Sequence, residues 1–278
     1  MYKLDKTNKL ESWDSWSEYV DYVEHTPRQP GAGKYSETVP PDSWTLDADW
    51  DTTLKLAHTG WSDGLQELDG YRDSLFRKLT RGVSTRAVYR NRVVGSMVNI
   101  PAYIAGHPAA MRARVHVEAI SNKVVKIVAN TTVSASVSSS TIVRRGAALC
   151  ALIDLLERSG RRCEVVNVFA TNNKYSMHIT LKRAGEPLQL DQIAFALMHP
   201  AALRCLYFKA VECSAIQHKL SARGTYGTPS EVPKQYRGDV YLGCGLYDDT
   251  AVMDWNSAPR VEEWIRNMLA KQGVTFND

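Results

Sequence analysis

Val124-Val125-Lys126-Ile127-Val128-Ala129-Asn130-Thr131-Thr132-Val133-Ser134 is the stretch that decides the fold. Four of its first five residues are β-branched, which favours a pleated strand. The run is too nearly continuous in apolar character for a strand wetted along one face, so it belongs inside a sheet. The polar segment Asn130–Thr141 leads into a helix over Ile142–Arg158. There Val143, Ala147, Ala148, Cys150, Leu152, Ile153, Leu155 and Leu156 form a wide apolar stripe suited to lying on a sheet. Ser159-Gly160 ends it, with Gly160 as a left-handed cap. A second strand, Cys163–Ala170, follows. Strand–helix–strand units are almost always right-handed parallel crossovers, so the middle of the sheet is expected to be parallel.

Working outward, the Asn172-Asn173 turn links that strand to Lys174–Leu181, where Tyr175, Met177, Ile179 and Leu181 alternate with polar residues. This predicts one antiparallel strand. Helical pattern returns from Asp191 to Cys213, bent or split at His199-Pro200. After a Gly/Pro/Ser-rich loop, Ser221–Arg237, come the strand Asp239–Gly243 and a helix over Pro259–Gln272. That helix places Val261, Trp264, Ile265, Met268 and Leu269 on one face. Upstream, Ala113–Ala119 and Lys123–Ala129 read as a hairpin turning at Ser121-Asn122, and Val93–Pro101 as a further strand. Residues 1–92 read as a helical, Trp-rich extension with a basic C-terminal part. Trp16, Tyr19, Val20 and Val23 stand at helical spacing behind Ser15 or Asp14 as a cap. A loop covers Thr26–Ser43, and a second helix covers Trp61–Leu79, broken near Gly70. The Trp cluster reads as packing before it reads as a base-stacking platform. The expected architecture is thus α/β: a three-layer, Rossmann-like mixed sheet with one antiparallel strand over residues 93–278, carrying the extension 1–92.

Bulk properties narrow the class. The 278 residues are 44% hydrophobic and 23% charged, ordinary for a globular chain. No apolar run approaches the roughly 20 residues of a membrane-spanning helix, and no apolar signal core opens the chain. Cys150, Cys163, Cys205, Cys213 and Cys244 have no zinc-ligand spacing and read as reduced thiols, which with the missing signal core points to the cytoplasm. The net charge of +4 hides an asymmetry. Residues 1–70 hold 14 Asp/Glu against 6 Lys/Arg, and residues 71–278 hold 28 Lys/Arg against 16 Asp/Glu. Either the two faces dock on one another, or a basic surface is left for a polyanion.

The element order from residue 123, with a hairpin straight after the first strand–helix–strand unit, resembles the von Willebrand factor A domain. In that family the first strand ends in Asp-x-Ser-x-Ser, which holds a divalent metal at the carboxyl end of the sheet. Here the place reads Asn130-Thr131-Thr132-Val133-Ser134. The resemblance implies a ligand-facing carboxyl edge lined by Asn130, Thr132, Ser134 and Asp248, with Mg²⁺ as the cation. Asn130 in place of the carboxylate removes charge that hard cations favour. The implied site is therefore degenerate, with Thr132 and Ser134 capping loop backbone. Gly243-Cys244-Gly245 at the end of the later strand weakens the match of Asp248. Val98-Asn99-Ile100-Pro101-Ala102-Tyr103-Ile104-Ala105-Gly106-His107-Pro108 and Arg145-Gly146-Ala147-Ala148 are similar to stretches of tailed-phage proteins. That similarity implies an origin at most, with the host cytoplasm as location.

Candidate chemistry is sparse. Gly31-Ala32-Gly33-Lys34 lacks the first Gly and the Ser/Thr of a phosphate-binding loop, where Arg28 and Tyr35 stand instead. No two of the seven histidines share helical ligand spacing, and no Ser or Cys sits in a nucleophile elbow. The strongest signal is basic: Arg72, Arg77, Lys78, Arg81, Arg86, Arg90 and Arg92, opposed by Asp73 and interleaved with Tyr71, Phe76 and Tyr89. Arginines pair with phosphates and aromatics stack on unpaired bases, so Arg77, Lys78, Arg81, Arg86, Tyr89, Arg90 and Arg92 form the candidate nucleic-acid site. The bland alternative is a solvated face paired with the acidic segment. The first expectation is a non-enzymatic binding protein that engages a macromolecular partner through its carboxyl-edge loops. The alternative is an accessory protein for single-stranded DNA or RNA, in phage transcription or replication. A third is an enzyme whose site only folding assembles.

Overall fold

A computed structural model describes residues 1–76, 85–118, 123–171, 175–221, 226, 228–244 and 254–274. Its strands are β1 (Lys3–Asp5), β2 (Leu10–Trp13), β3 (Thr85–Arg92), β4 (Met97–Val98), β5 (Met111–Glu118), β6 (Val124–Asn130), β7 (Arg162–Ala170), β8 (Ser176–Lys182) and β9 (Val240–Leu242). Its helices are α1 (Trp16–His25), α2 (Tyr35–Thr38), α3 (Trp50–Thr59), α4 (Leu65–Phe76), α5 (Ile100–Ile104), α6 (Ser139–Arg158), α7 (Leu190–Met198), α8 (Phe208–Cys213), α9 (His218–Ser221) and α10 (Ala258–Lys271). A π-helical turn, Ala202–Tyr207, leads into α8, and a 3₁₀ turn covers Lys234–Tyr236. No described helix is long and apolar enough to cross a membrane.

The six-stranded sheet runs in the order β1-β2-β8-β7-β6-β9. As expected, β6 is interior and has parallel neighbours on both sides, Ile127 opposite Val165 of β7 and Val240 of β9. β8 is the anticipated antiparallel strand against β7. The N-terminal segment departs from a purely helical extension. Leu10–Trp13 joins β8 in parallel, and β1 folds back on β2 as an edge hairpin. Trp13 and Glu11, alternate residues of β2, point inward and are almost wholly buried. Ser15 then caps α1 by accepting from the Glu18 N–H at 3.2 Å. The helical spacing from Trp16 onward hides the short strand before it, because four residues of alternation are swamped by the helical period that follows them.

Alternation along the strands sorts the two faces. Val125, Ile127, Ala129, Cys163, Val165, Val240 and Leu242 meet α4, α6, α7 and α10 in one core cluster. Phe169, Met177, Ile179 and Trp13, on the same face further along the sheet, meet α1, α7, the π turn and α8. Among the described residues α1, α3, α4, α6, α7, α8 and α10 therefore lie on that face. The third layer, on the opposite face, is the irregular segment 228–239. Its Val232 and Tyr236 cover Val128, Val166, Val168 and Ala170. This layer is thin and reaches only the carboxyl half of β6. Val124 is 46% exposed and Lys126 lies in solvent.

Three expectations fail upstream. β5 does not form a hairpin with β6, whose two edges are already taken by β7 and β9. It pairs antiparallel with β3 and β4 in a separate small sheet, ordered β3-β5-β4. The Ser121-Asn122 turn lies outside the described residues, as does Asn172-Asn173. Val93–Pro101 is not one strand either, since only Met97–Val98 pairs before α5 begins at Ile100. α4 continues through Gly70 without the expected break.

The glycines of two helices allow opposite tests. A Cβ on Gly146 in α6 would sit 2.4 Å from the Leu197 carbonyl oxygen and 2.6 Å from Met198 Cα, backbone that cannot give way. A Cβ on Gly70 meets nothing within 4 Å. Gly146→Ala is expected to destabilise by about 1–3 kcal/mol despite alanine's better helix propensity. Gly70→Ala should stabilise by about 0.5–1 kcal/mol. Urea midpoints for the pair check the α6–α7 contact.

Candidate functional site

At the carboxyl end of β6 the chain's polar groups are turned on one another. Asn130 is fully buried. Its Nδ2 donates to the Ser230 carbonyl at 2.8 Å, and its Oδ1 accepts from the Thr132 N–H at 3.2 Å. Thr132 Oγ1 accepts from the Ala170 N–H at 2.7 Å. Ser134 faces solvent and shares a hydrogen bond with Ser136, Oγ to Oγ 3.0 Å. Asp248 lies outside the described residues. Asn130 and Thr132 thus stand together, but Ser134 is directed away from them.

A cation already occupies the neighbourhood. Arg145, on the second turn of α6 and buried, reaches back to donate to the Asn130 carbonyl at 3.0 Å and to the Gly243 carbonyl. Its guanidinium therefore bridges the carboxyl ends of β6 and β9, where the resemblance would set a metal. A hard divalent ion needs several free oxygens and would meet a positive charge there. Among the described residues no group of three or more His, Cys, Asp or Glu could hold a metal ion. The sequence signal for Arg145 was present, a basic residue two turns into a helix stripe, but nothing in spacing shows that it turns inward.

The loop beyond, 131–138, is fixed from above by the N-terminal segment. Trp44 Nε1 donates to the Ala135 carbonyl at 3.4 Å. Arg204, in the π turn and 1% exposed, lies 4.3 Å over the Trp44 ring. It donates to the Val137 carbonyl at 2.6 Å, to Ser139 Oγ at 2.9 Å and to the Trp44 carbonyl. Burial pulls its pKa down to about 10, so it stays charged at neutral pH. π-helical turns recur at functional positions. Here the turn aims a buried arginine at the loop.

Nucleophile chemistry finds little support nearby. All five cysteines are buried and unbridged. Burial pushes the Cys163 and Cys205 thiols up to about 12 and the Cys213 thiol up to about 11. The Cys244 thiol, at the end of β9, donates to Glu231 Oε1 at 2.9 Å. His178 and His199 are held neutral by burial, each with its pKa lowered to about 4.

The arginine run falls partly in view. Arg77, Lys78 and Arg81 lie outside the described residues. Arg86, Tyr89, Arg90 and Arg92 lie on β3, a strand rather than the flexible segment expected, because β5 pairs with it along its whole length. Arg90 and Arg92 are two residues apart, so they share a face, and both are exposed. Arg112 of β5 is exposed as well. Among the described residues no carboxylate forms an ion pair with any of the three. The acidic segment does not neutralise them. Sequence reasoning missed what accompanies them: Val93, Val94, Ile100, Tyr103 and Ile104 are 65–80% exposed, and Met97 and Val98 about half exposed. The strands of the small sheet make their substantial contacts with one another. An apolar run normally signals burial, so only the structure reveals that this one is outside.

Arg145→Met should destabilise by about 2–3 kcal/mol, since two buried carbonyls lose a charged donor. Millimolar Mg²⁺ should leave the wild-type melting temperature unchanged, and an upward shift would contradict the filling of this edge by Arg145. The imidazole resonances of His178 and His199 should stay at their neutral positions from pH 7 to about 5. Because both folded-state pKa values lie below the unfolded 6.5, the unfolded chain gains protons first. Stability should therefore fall as pH drops from 6.5 toward 4, which urea unfolding across that window measures.

No curated protein and no solved structure matches the chain. A family described as Domain of unknown function (DUF7192) matches residues 4–275, nearly the whole length and both sheets. The chain belongs to the DUF7192 family.

Proposed function

We propose that this chain is a non-enzymatic binding protein that engages an acidic protein partner, and that the small sheet makes the contact. The carrying observation is the exposed surface of residues 90–112. Seven large apolar side chains, Val93 to Ile104, stand in solvent beside Arg90, Arg92 and Arg112. Contiguous apolar surface ringed by polar residues is the mark of an interaction site, because leaving it wet costs roughly 25 cal/mol per Å². The carboxyl edge is the weaker candidate on the same criterion, since Asn130, Thr132 and Arg145 spend their hydrogen bonds internally. The order β8-β7-β6-β9, with β8 antiparallel, supports a von Willebrand A-like scaffold beneath this surface.

A second reading has its own observation. Arg90 and Arg92 are exposed on one strand face without an ion pair among the described residues, and Tyr103 is 71% exposed nearby in sequence. That combination suits a single-stranded nucleic acid.

Affinity capture with wild-type chain and with Val94→Asp/Ile104→Asp, run in parallel, tests the first reading. Protein retained by the wild type and lost with the variant is expected, and identical retention would overturn it. Titration of a labelled single-stranded oligonucleotide at two salt concentrations tests the second. Phosphate contacts must weaken as salt rises, so undetectable binding at low salt removes it.

A further inference from the structure

The small sheet has a complementary surface on the same chain. Arg92, Val93, Val94 and Ala109 line a shallow, open cleft of about 480 Å³, in which Val93 and Val94 are 73% and 80% exposed. The segment 42–51 presents the reverse. Leu46 is 38% exposed, and Asp42, Asp47, Asp49 and Asp51 of the same segment are exposed too, with no Lys or Arg in the segment.

The knob is rigid. Leu46 and Asp47 both take left-handed backbone, φ +53° and +56°, costly for residues bearing a Cβ. The turn is pinned by Thr45 and Asp47 N–H groups donating to the Asp42 carbonyl at 3.0 and 2.8 Å, and by the Trp44 N–H donating to Asp42 Oδ1 at 2.7 Å. Below it Trp44 is clamped by Arg204. A rigid apolar knob loses little entropy when it docks. Among the described residues, neither these four aspartates nor Arg90, Arg92 and Arg112 form an ion pair within the chain.

We infer that the acidic partner of the small sheet is a second copy of this chain, its Leu46 knob seated in the Arg92–Val93–Val94–Ala109 cleft. This rests on the functional reading above, in that the small sheet is the contact surface. The two patches differ, so the contact is head-to-tail and builds either a closed ring or an open chain of copies. Its ion pairs are peripheral and exposed, so it weakens as salt screens them. The charge asymmetry along the sequence then has a use, since each copy offers one sign to each neighbour.

Sedimentation velocity on the full chain tests this, over about 1–100 µM protein, where micromolar contacts become populated. The wild type should sediment faster as concentration rises, and less so when salt is raised from about 50 to about 500 mM. Asp47→Lys/Asp49→Lys and Arg90→Glu/Arg92→Glu should each remain monomeric, because the first cancels the negative charge of one patch and the second reverses the charge of the other. An equimolar mixture of the two should regain the faster species, since the native cleft of one variant meets the native knob of the other. Folding defects cannot mimic that rescue. A wild type that stays monomeric throughout, variants that associate like it, or a mixture without rescue would overturn the inference. So would sedimentation of the chain with phosphatidylserine vesicles that Arg90→Glu/Arg92→Glu abolishes while the wild type alone stays monomeric. Capture of another protein that depends on Val94 and Ile104, with a monomeric wild type, would remove self-association and leave the functional reading standing.

Discussion

Everything in the large sheet depends on β6 being hydrogen-bonded along both edges by parallel strands. A strand so placed cannot turn back into a neighbouring strand, so the chain must leave its carboxyl end into a loop and return through a helix. Parallel pairing also sets the ends of β6 and β9 side by side, with carbonyls that lack ladder partners. Buried carbonyls without donors are costly. Arg145 answers both at once, and because it comes from α6 it ties the helix to the two strand ends it spans. Gly146, the next residue, lets α7 approach until a single methyl group would collide with its backbone. One turn of one helix thus holds the sheet's carboxyl edge and the first helical layer together.

Buried polar groups bind the N-terminal third to this frame beside the apolar contacts of Trp13, Trp16 and Tyr19. Glu11, fully buried in β2, accepts from the Tyr2 hydroxyl at 2.7 Å and from the Tyr175 hydroxyl of the segment leading into β8. Glu212 in α8 accepts from Arg28 at 2.7 Å, from the Ser36 hydroxyl at 2.6 Å and from the Tyr226 hydroxyl at 2.8 Å. A carboxylate enclosed in this way would be very expensive without its donors, so the loop 26–38 has few alternatives to its observed course. Arg204 acts likewise from the opposite charge, joining Trp44 to the loop 131–138. The segment that looks in sequence like an appendage is therefore part of the carboxyl rim.

The small sheet follows the opposite logic. Among the described residues it makes no substantial contact with a helix, and its large apolar residues from Val93 to Ile104 are exposed. A sheet this small needs a packed apolar face or a covering layer to be stable. The proposed partner contact would supply such a covering layer. The same residues would be a liability to solubility if Arg90, Arg92 and Arg112 did not flank them with charge.

Much of the frame was legible in local pattern. The β-branched run at 124–128, the stripe of α6, the split at His199-Pro200, the cap at Ser15 and the left-handed end at Gly160 are short-range effects that any surrounding fold would respect. Pairing was not legible. Whether β5 joins β6 or β3, and whether four residues at 10–13 add a strand, depends on which edges are free, and a free edge exists only once the other strands are in place. The candidate site divides the same way. Asn130, Thr132 and the arginines of β3 could be named from the chain, because their chemistry is carried by residue type. That Asn130 faces inward, that Arg145 fills the edge and that Val93–Ile104 lies outside are matters of burial. Burial belongs to the assembled surface, where packing of distant segments decides which apolar residues water still reaches.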